Sequence, residues 1–224
     1  CTSAEVHNPT TNRTSPERRA AIAAIAQRRG FQIIDDDTYG MAGGADPSYR
    51  LIAPERSWVL GSVAKSLSPE LRLGAVIAPP GQGDRIRGVA QQQFQGLSRP
   101  LLDLATTLFD SGAAERIRTD VLGVINRRVV MTRETLGPFN PVLRNSVPFV
   151  WLPMPRGWRA STFLQAAEAQ GIRIKAADEF CLVDGWAPNA VRLAIASESS
   201  DQRFQGALDK LAALLSTPPS DMEV

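Results

Sequence analysis

Histidine is all but missing from this sequence of 224 residues, with His7 its single representative. Standing in a His-Asn-Pro-Thr string, it reads as a turn or packing residue rather than a catalyst, and no metal site is expected. Cysteine is nearly as scarce. Cys1 and Cys181 are far apart and form no disulfide framework, so a reducing cytoplasmic compartment is the natural expectation. Cys181 is read as small core filler rather than a nucleophile. A net charge of +2 gives the chain no global attraction to nucleic acid, and the local arginines Arg18, Arg19, Arg28 and Arg29 are read as the solvated face of a helix. No apolar run is long enough to span a bilayer and no signal-peptide pattern is present, so no membrane partner is expected. The first residue is not Met, and the chain is expected to begin inside a longer protein. Internal repeats and low-complexity tracts are absent too. What remains is ordinary: 43% hydrophobic and 21% charged residues, the balance of a soluble globular protein long enough to bury a core.

Local signals divide the chain into elements. Ala4 to Val6 could end a strand, and His7 to Thr10 is a turn. Ser15-Pro16-Glu17 opens a helix, with Ser as N-cap, Pro at the first helical position and Glu near the positive end of the dipole. Ile22 and Ile25 share one face of it, and Gly30 ends it. Phe31 to Ile34 is a strand closed by Asp35-Asp36-Asp37, completing a strand–helix–strand unit with parallel strands and a right-handed crossover. Trp58 to Gly61 and Leu73 to Ala78 are further strands. Three helices are expected over 85–97, 100–109 and 114–136, the last with Ile117, Val121 and Val124 on one face. After Gly137 come a strand at Phe149 to Leu152, a helix from Ala160 to Gln170 ended by Gly171, and strands at 172–175 and 191–196. A final amphipathic helix carries Phe204, Leu208, Leu211 and Leu215. A domain boundary is expected near residue 137. Trp58, Trp151, Trp158 and Trp186 are read as packing anchors.

In a parallel sheet, functional groups gather beyond the carboxyl ends of the strands. Three clusters stand at such ends: Asn8, then Asp36 to Tyr39, then Ser62 to Lys65. Each alone has a plain alternative, since Asn-Pro is a common turn and an acidic triplet or single lysine is usually solvated. Their ordered combination is what carries meaning.

His7-Asn8-Pro9-Thr10-Thr11, Ile33-Ile34-Asp35-Asp36-Asp37-Thr38-Tyr39-Gly40, Gly61-Ser62-Val63-Ala64-Lys65-Ser66-Leu67-Ser68-Pro69 and Leu71-Arg72-Leu73-Gly74 together resemble the fold-type-I, pyridoxal-phosphate-dependent aminotransferases. The Asp-Asp-x-Tyr-Gly and Lys-Ser-Leu-Ser-Pro forms look most like the branch fused to winged-helix regulators, the MocR subfamily of GntR regulators. Trp151-Leu152-Pro153, Gly157-Trp158-Arg159 and Ala177-Asp178-Glu179-Phe180 are similar to that branch as well. The resemblance implies an α/β fold: a partial, mainly parallel sheet of the large cofactor-binding domain over residues 1–137, including the long linking helix, then a smaller α+β domain over 138–224.

The resemblance also implies roles, with pyridoxal 5′-phosphate as cofactor. Lys65 would be the amine that carries the cofactor aldehyde and later moves a proton. Asp36 would pair with the pyridine nitrogen and keep the ring an electron sink, while Asp35 and Asp37, one step along the strand, point to its other face. Tyr39 and Asn8 would hydrogen-bond the ring oxygen. Ser62 and Arg72, flanking the lysine, would hold the phosphate, a task suited to a hydroxyl and a guanidinium. Arg192, alternating with Leu193 in Val191-Arg192-Leu193-Ala194-Ile195, would grip the carboxylate of an amino acid or related ligand, with Asn8 beside it in substrate binding.

In that family a Gly-rich phosphate loop and a ring-stacking aromatic lie upstream of the Asn-Pro motif, and a second subunit completes the site. The resemblance therefore implies a module that keeps most anchors yet binds cofactor weakly alone, within a homodimeric full-length protein that would contact DNA through a separate N-terminal domain. A free-standing class I/II aminotransferase shares every residue named, and upstream sequence would separate the two. A plain interaction module without cofactor chemistry is disfavoured by the intact anchor set.

Overall fold

The computed structural model describes residues 1–39, 46–93 and 96–219. Gly40 of the Asp-Asp-x-Tyr-Gly motif lies outside them. The chain forms two compact units, Cys1–His7 with Asn12–Leu122, and Asn8–Thr11 with Gly123–Val224, so the division runs through a long helix.

The first unit starts from helix α1, Pro16–Arg29. Its ends are set locally. The Ser15 hydroxyl accepts the Arg18 N–H, Pro16 sits at the first turn, and Gly30 closes the helix at φ 77°, its N–H on the Ala26 carbonyl. The stripe that faces the core is Arg19, Ala23 and Ala26, not the isoleucines: Ile22 only packs at the edge and Ile25 is exposed. Alanines let the helix lie close to the sheet. Arg19 is fully buried rather than solvated. Its guanidinium donates to Glu5 at 2.7 Å and to the carbonyls of Thr14 and Ala4 at 2.9 and 3.1 Å, so the buried charge is paired and bonded.

Strands β1 (Ile33–Asp36), β2 (Ser57–Ser62) and β3 (Gly74–Ile77) form one sheet in that order. β1 and β2 are parallel, Asp36 level with Leu60, and β3 returns antiparallel to β2. Instead of a strand at Ala4 to Val6, a single parallel bridge joins Thr2 to Asp35. In β1, Ile33 and Asp35 are buried while Ile34 faces out, the period of two expected of a strand. The short helix α2, Tyr49–Ile52, closes a core of Ala4, Ala23, Ala26, Ile33, Tyr49 and Ala53. Helices α3 (Gly83–Gln93) and α4 (Arg99–Asp110) follow. Residues 94 and 95, within the helix expected over 85–97, lie outside the described residues.

Helix α5, Ala113–Leu136, passes from one unit to the other. The face expected from Ile117, Val121 and Val124 stays exposed or half-buried, whereas Ile125, Arg128, Val129, Thr132 and Leu136 are buried. Two polar residues interrupt that stripe, so hydropathy alone misses it. Arg128 is accommodated by Asp201 at 3.0 Å and the Ile195 carbonyl at 2.9 Å.

The second unit has an antiparallel sheet in the order β4 (Phe149–Pro153), β6 (Ala190–Ala194), β5 (Lys175–Ala176). Helix α6 (Ala160–Ala169) and helix α7 (Asp201–Ser216) bring Phe163, Ala167, Phe204, Leu208, Leu211 and Leu215 into its core. Trp151 and Trp158 are buried anchors, but Trp186 is 95% exposed. It follows a tight turn, Gly185 N–H to Leu182 carbonyl, in a stretch where Leu182 and Val183 are exposed as well. No helix among the described residues is long and apolar enough to cross a membrane.

Candidate functional site

Five of the candidate residues gather at one end of the first sheet. Asp36 is the last residue of β1, held by its own N–H on the Thr2 carbonyl at 2.7 Å. Its Oδ1 accepts the Thr38 N–H at 3.1 Å and the Thr38 hydroxyl, an Asx-type turn that fixes a carboxylate at the carboxyl end of the strand. The Asp37 N–H donates to the Leu60 carbonyl at 2.9 Å and carries the parallel pairing one step further. The chain then turns through Tyr39, and the Lys65 ammonium lies 5.5 Å from the centre of the Tyr39 ring.

Lys65 is three residues past the end of β2. The Ser62 hydroxyl accepts the Ala64 N–H at 3.1 Å, and the Leu67 N–H donates to the Val63 carbonyl at 2.8 Å, so the lysine rides on one tight turn. β3 begins beside the same turn, with Gly74 level with Ser62. A Cβ on Gly74 would stand 3.2 Å from the Gly61 carbonyl oxygen, so glycine permits this close approach. The Val63 N–H meets the Leu73 carbonyl at 3.3 Å, which brings the exposed Arg72 back toward the Ser62–Lys65 turn.

Asp35 is buried, accepts the Ala4 N–H at 3.2 Å, and has its pKa raised by burial. Burial, then the charges of Asp35 and Glu5, push the Asp37 pKa up to about 6.

Asn8 and Arg192 belong to the second unit, where the fold joins them across 184 positions: Arg192 Nη1 donates to Asn8 Oδ1 at 3.1 Å. The Asn8–Pro9 peptide is cis. Arg192 stands on β6 between Trp151 of β4 and Lys175 of β5. Its guanidinium carbon lies 5.2 Å from the Phe149 ring and 5.4 Å from the Phe180 ring, geometry that orients a planar cation. Phe149 and Lys175 were not singled out in the sequence. Strand alternation places both on the Arg192 face, but only once the pairing of β4, β5 and β6 is known.

His7 is exposed, its N–H on the Asn12 carbonyl, and Cys181 is half-buried against the Ala177 and Trp186 carbonyls. Among the described residues, no group of three or more histidine, cysteine, aspartate or glutamate side chains could hold a metal ion.

The donor types at the end of the first sheet fit pyridoxal 5′-phosphate. An ordered carboxylate suits a protonated ring nitrogen, a phenol a ring oxygen, and an amine an aldehyde. The Arg72 guanidinium is exposed and makes no ion pair among the described residues, so it can meet a phosphate.

Comparison with known proteins agrees with this reading of the fold. The sequence profile of the family "Aminotransferase class I and II" matches residues 3–211. An HTH-type transcriptional regulator of Bacillus subtilis, YdeF, is 25% identical over 94% of this chain and 46% of its own length. A 2-aminoadipate transaminase of Thermus thermophilus is 26% identical over 85% of the chain and 50% of its own. The chain thus spans about half the length of these curated relatives. An archaeal alanine:glyoxylate aminotransferase superposes with a TM-score of 0.81 at 22% identity, covering 96% of this chain and 55% of that one, which shows the fold.

Proposed function

This chain belongs to the aminotransferase class I and II family, and from that membership we propose that it is the pyridoxal-phosphate- and amino-acid-binding part of a GntR/MocR-type transcriptional regulator. The observation that carries the cofactor half of this reading is the meeting of Asp36, Tyr39, Ser62, Lys65 and Arg72 at one end of a single sheet. The cofactor supplies an aldehyde for condensation with amines and a conjugated electron sink. The chain supplies several of the groups that place and tune it. Lys65 offers the amine and moves a proton at the ligand's α carbon. Asp36 holds a proton on the ring nitrogen through a charge-assisted hydrogen bond. Tyr39 donates to the ring oxygen, and Ser62 and Arg72 donate to the phosphate. Arg192, oriented by Asn8, Phe149 and Phe180, binds the ligand's carboxylate as a two-pronged donor.

The regulatory half of the reading is supported by the similarity to YdeF along nearly the whole chain. In it, a DNA-binding domain elsewhere in the full-length protein responds to cofactor and amino acid, and the protein acts as a homodimer. The similarity to a 2-aminoadipate transaminase supports a second reading, a free-standing aminotransferase. Both use the same anchors. The deciding experiment is a mobility-shift titration of the full-length protein on its own promoter region, with and without cofactor and amino acids. A cofactor-dependent shift that Lys65→Ala removes, with DNA binding otherwise intact, is expected. Turnover of an amino donor with an oxo acid, and no DNA binding, would replace the first reading by the second.

A further inference from the structure

Asp36 ends β1 on the strand face that carries Ile34, opposite the buried Ile33 and Asp35. An aspartate carboxylate turns easily about its last bond, whose energy wells are broad. Here one oxygen is held. Oδ1 accepts the Thr38 N–H at 3.1 Å and also the Thr38 hydroxyl, the closer of the two donors. Among the described residues these are the hydrogen bonds that the Asp36 side chain accepts; none goes to Oδ2, and no ion pair reaches the group. A turn of this type needs only the backbone N–H. The hydroxyl is a further donor that depends on the residue being threonine. Both donors are neutral, so they fix the carboxylate without cancelling its charge.

We infer that the Thr38 hydroxyl is a positioning group for the cofactor: it pins Oδ1 of Asp36 and leaves Oδ2 as the oxygen that accepts from the ring nitrogen. This inference rests on the reading of Asp36 as the partner of that nitrogen. Thr38 acts only through Asp36. Without the hydroxyl, the carboxylate keeps one long bond and spends part of its time turned away, so it must be ordered when the cofactor binds. A roughly threefold to tenfold weaker hold on the ring and its proton is expected. An electronic role would have the opposite sign. A carboxylate that loses a donor becomes the stronger acceptor and grips the proton more tightly. The charged groups around Asp36, namely Asp35 and Asp37 beside it and Lys65 near Tyr39, are unchanged in every Thr38 variant and do not produce the difference.

The test is nitrogen NMR of the full-length protein loaded with pyridoxal 5′-phosphate isotope-labelled at the ring nitrogen, followed over a pH series. The shift of that signal reports whether the nitrogen carries a proton. Thr38→Val should lower the pH at which the proton leaves by about half a unit to one unit, and should weaken cofactor binding in a direct titration by roughly threefold to tenfold. Thr38→Ser, which keeps the hydroxyl, should restore both. Thr38→Ala removes the hydroxyl with less bulk and carries the same expectation should the valine variant fail to fold. A turn-stabilising role alone would lower the melting temperature and leave the ring-nitrogen signal in place. An unmoved or raised pH in Thr38→Val therefore overturns the role of Thr38. A signal that Asp36→Asn also leaves unmoved overturns the reading of Asp36 itself, and the inference with it.

Discussion

Asp37→Asn should stabilise the protein, and the gain should grow with pH. Asp37 follows β1 beside the buried Asp35, and its Oδ1 is buried with no hydrogen-bond partner among the described residues. Burial, with the charges of Asp35 and Glu5, raises its pKa from 3.8 to about 6. Between those values the folded protein holds a proton that the unfolded chain releases, so stability falls as pH rises. The sign is opposite to that of a salt-bridged carboxylate. At about 1.36 kcal/mol per unit, the shift amounts to a cost of up to about 3 kcal/mol above pH 7. Solvent at this partly exposed group screens some of it, which leaves about 1–3 kcal/mol. Asparagine has the same shape and no charge to desolvate. For a chain of this length each kcal/mol moves the thermal midpoint by roughly 2–4 °C. Melting Asp37→Asn beside the unaltered protein from pH 4 to 7.5 should therefore show a small difference at the acid end that widens through pH 6. Asp35, whose pKa is also raised by burial, pulls in the same direction, and because its charge and that of Asp37 repel, removing the Asp37 charge eases Asp35 too and adds to the widening. A difference that stays constant, or shrinks, as pH rises would refute the argument.

Further outcomes follow from the sites. The chain has three lysines, Lys65, Lys175 and Lys210, so borohydride reduction of the cofactor-loaded full-length protein followed by peptide mass spectrometry should find the pyridoxyl label on Lys65, and Lys65→Ala should abolish stoichiometric labelling. Asp36→Asn should still bind cofactor but slow any amino-group chemistry, because an amide cannot hold the ring nitrogen protonated, whereas Arg72→Ala should weaken cofactor binding itself by about tenfold or more in a direct titration. Arg128→Ala should cost about 3 kcal/mol in denaturant unfolding, since it empties a buried site and leaves the Ile195 carbonyl without its donor. Asp201→Asn should cost less, because its side chain is 42% exposed and the amide oxygen can still accept from Arg128.

The elements that could be read from the sequence are those whose ends are chemically local. Ser15, Pro16 and Gly30 bracket α1 within one turn at each end, and the apolar runs at Ile33, Trp58 and Val191 lie within their strands. Long-range satisfaction was not legible. Arginine is a surface residue by composition, and nothing near Arg19 or Arg128 in sequence says that Glu5 and the Ala4 carbonyl, or Asp201 and the Ile195 carbonyl, will meet them inside the protein. Trp186 errs the other way. Its type argues for the core, yet the turn at Leu182 to Gly185 puts it in solvent.

The candidate site divides along the same line. Asp36, Ser62 and Lys65 were legible because each stands at or just past the end of a strand, and strand ends can be read locally. The hydrogen bond from Arg192 to Asn8 was not, since it depends on both the turn at Pro9 and the position of β6. Its chemistry nevertheless follows from the residue types. An asparagine oxygen orients a guanidinium without adding a compensating negative charge, and the faces of Phe149 and Phe180 do the same. A carboxylate in Asn8's place would orient Arg192 as well but would cancel the charge on which a carboxylate ligand depends. The Asn8 oxygen and the two aromatic faces fix the orientation of the guanidinium, and this arrangement, more than the arginine alone, supports reading Arg192 as the ligand's anchor.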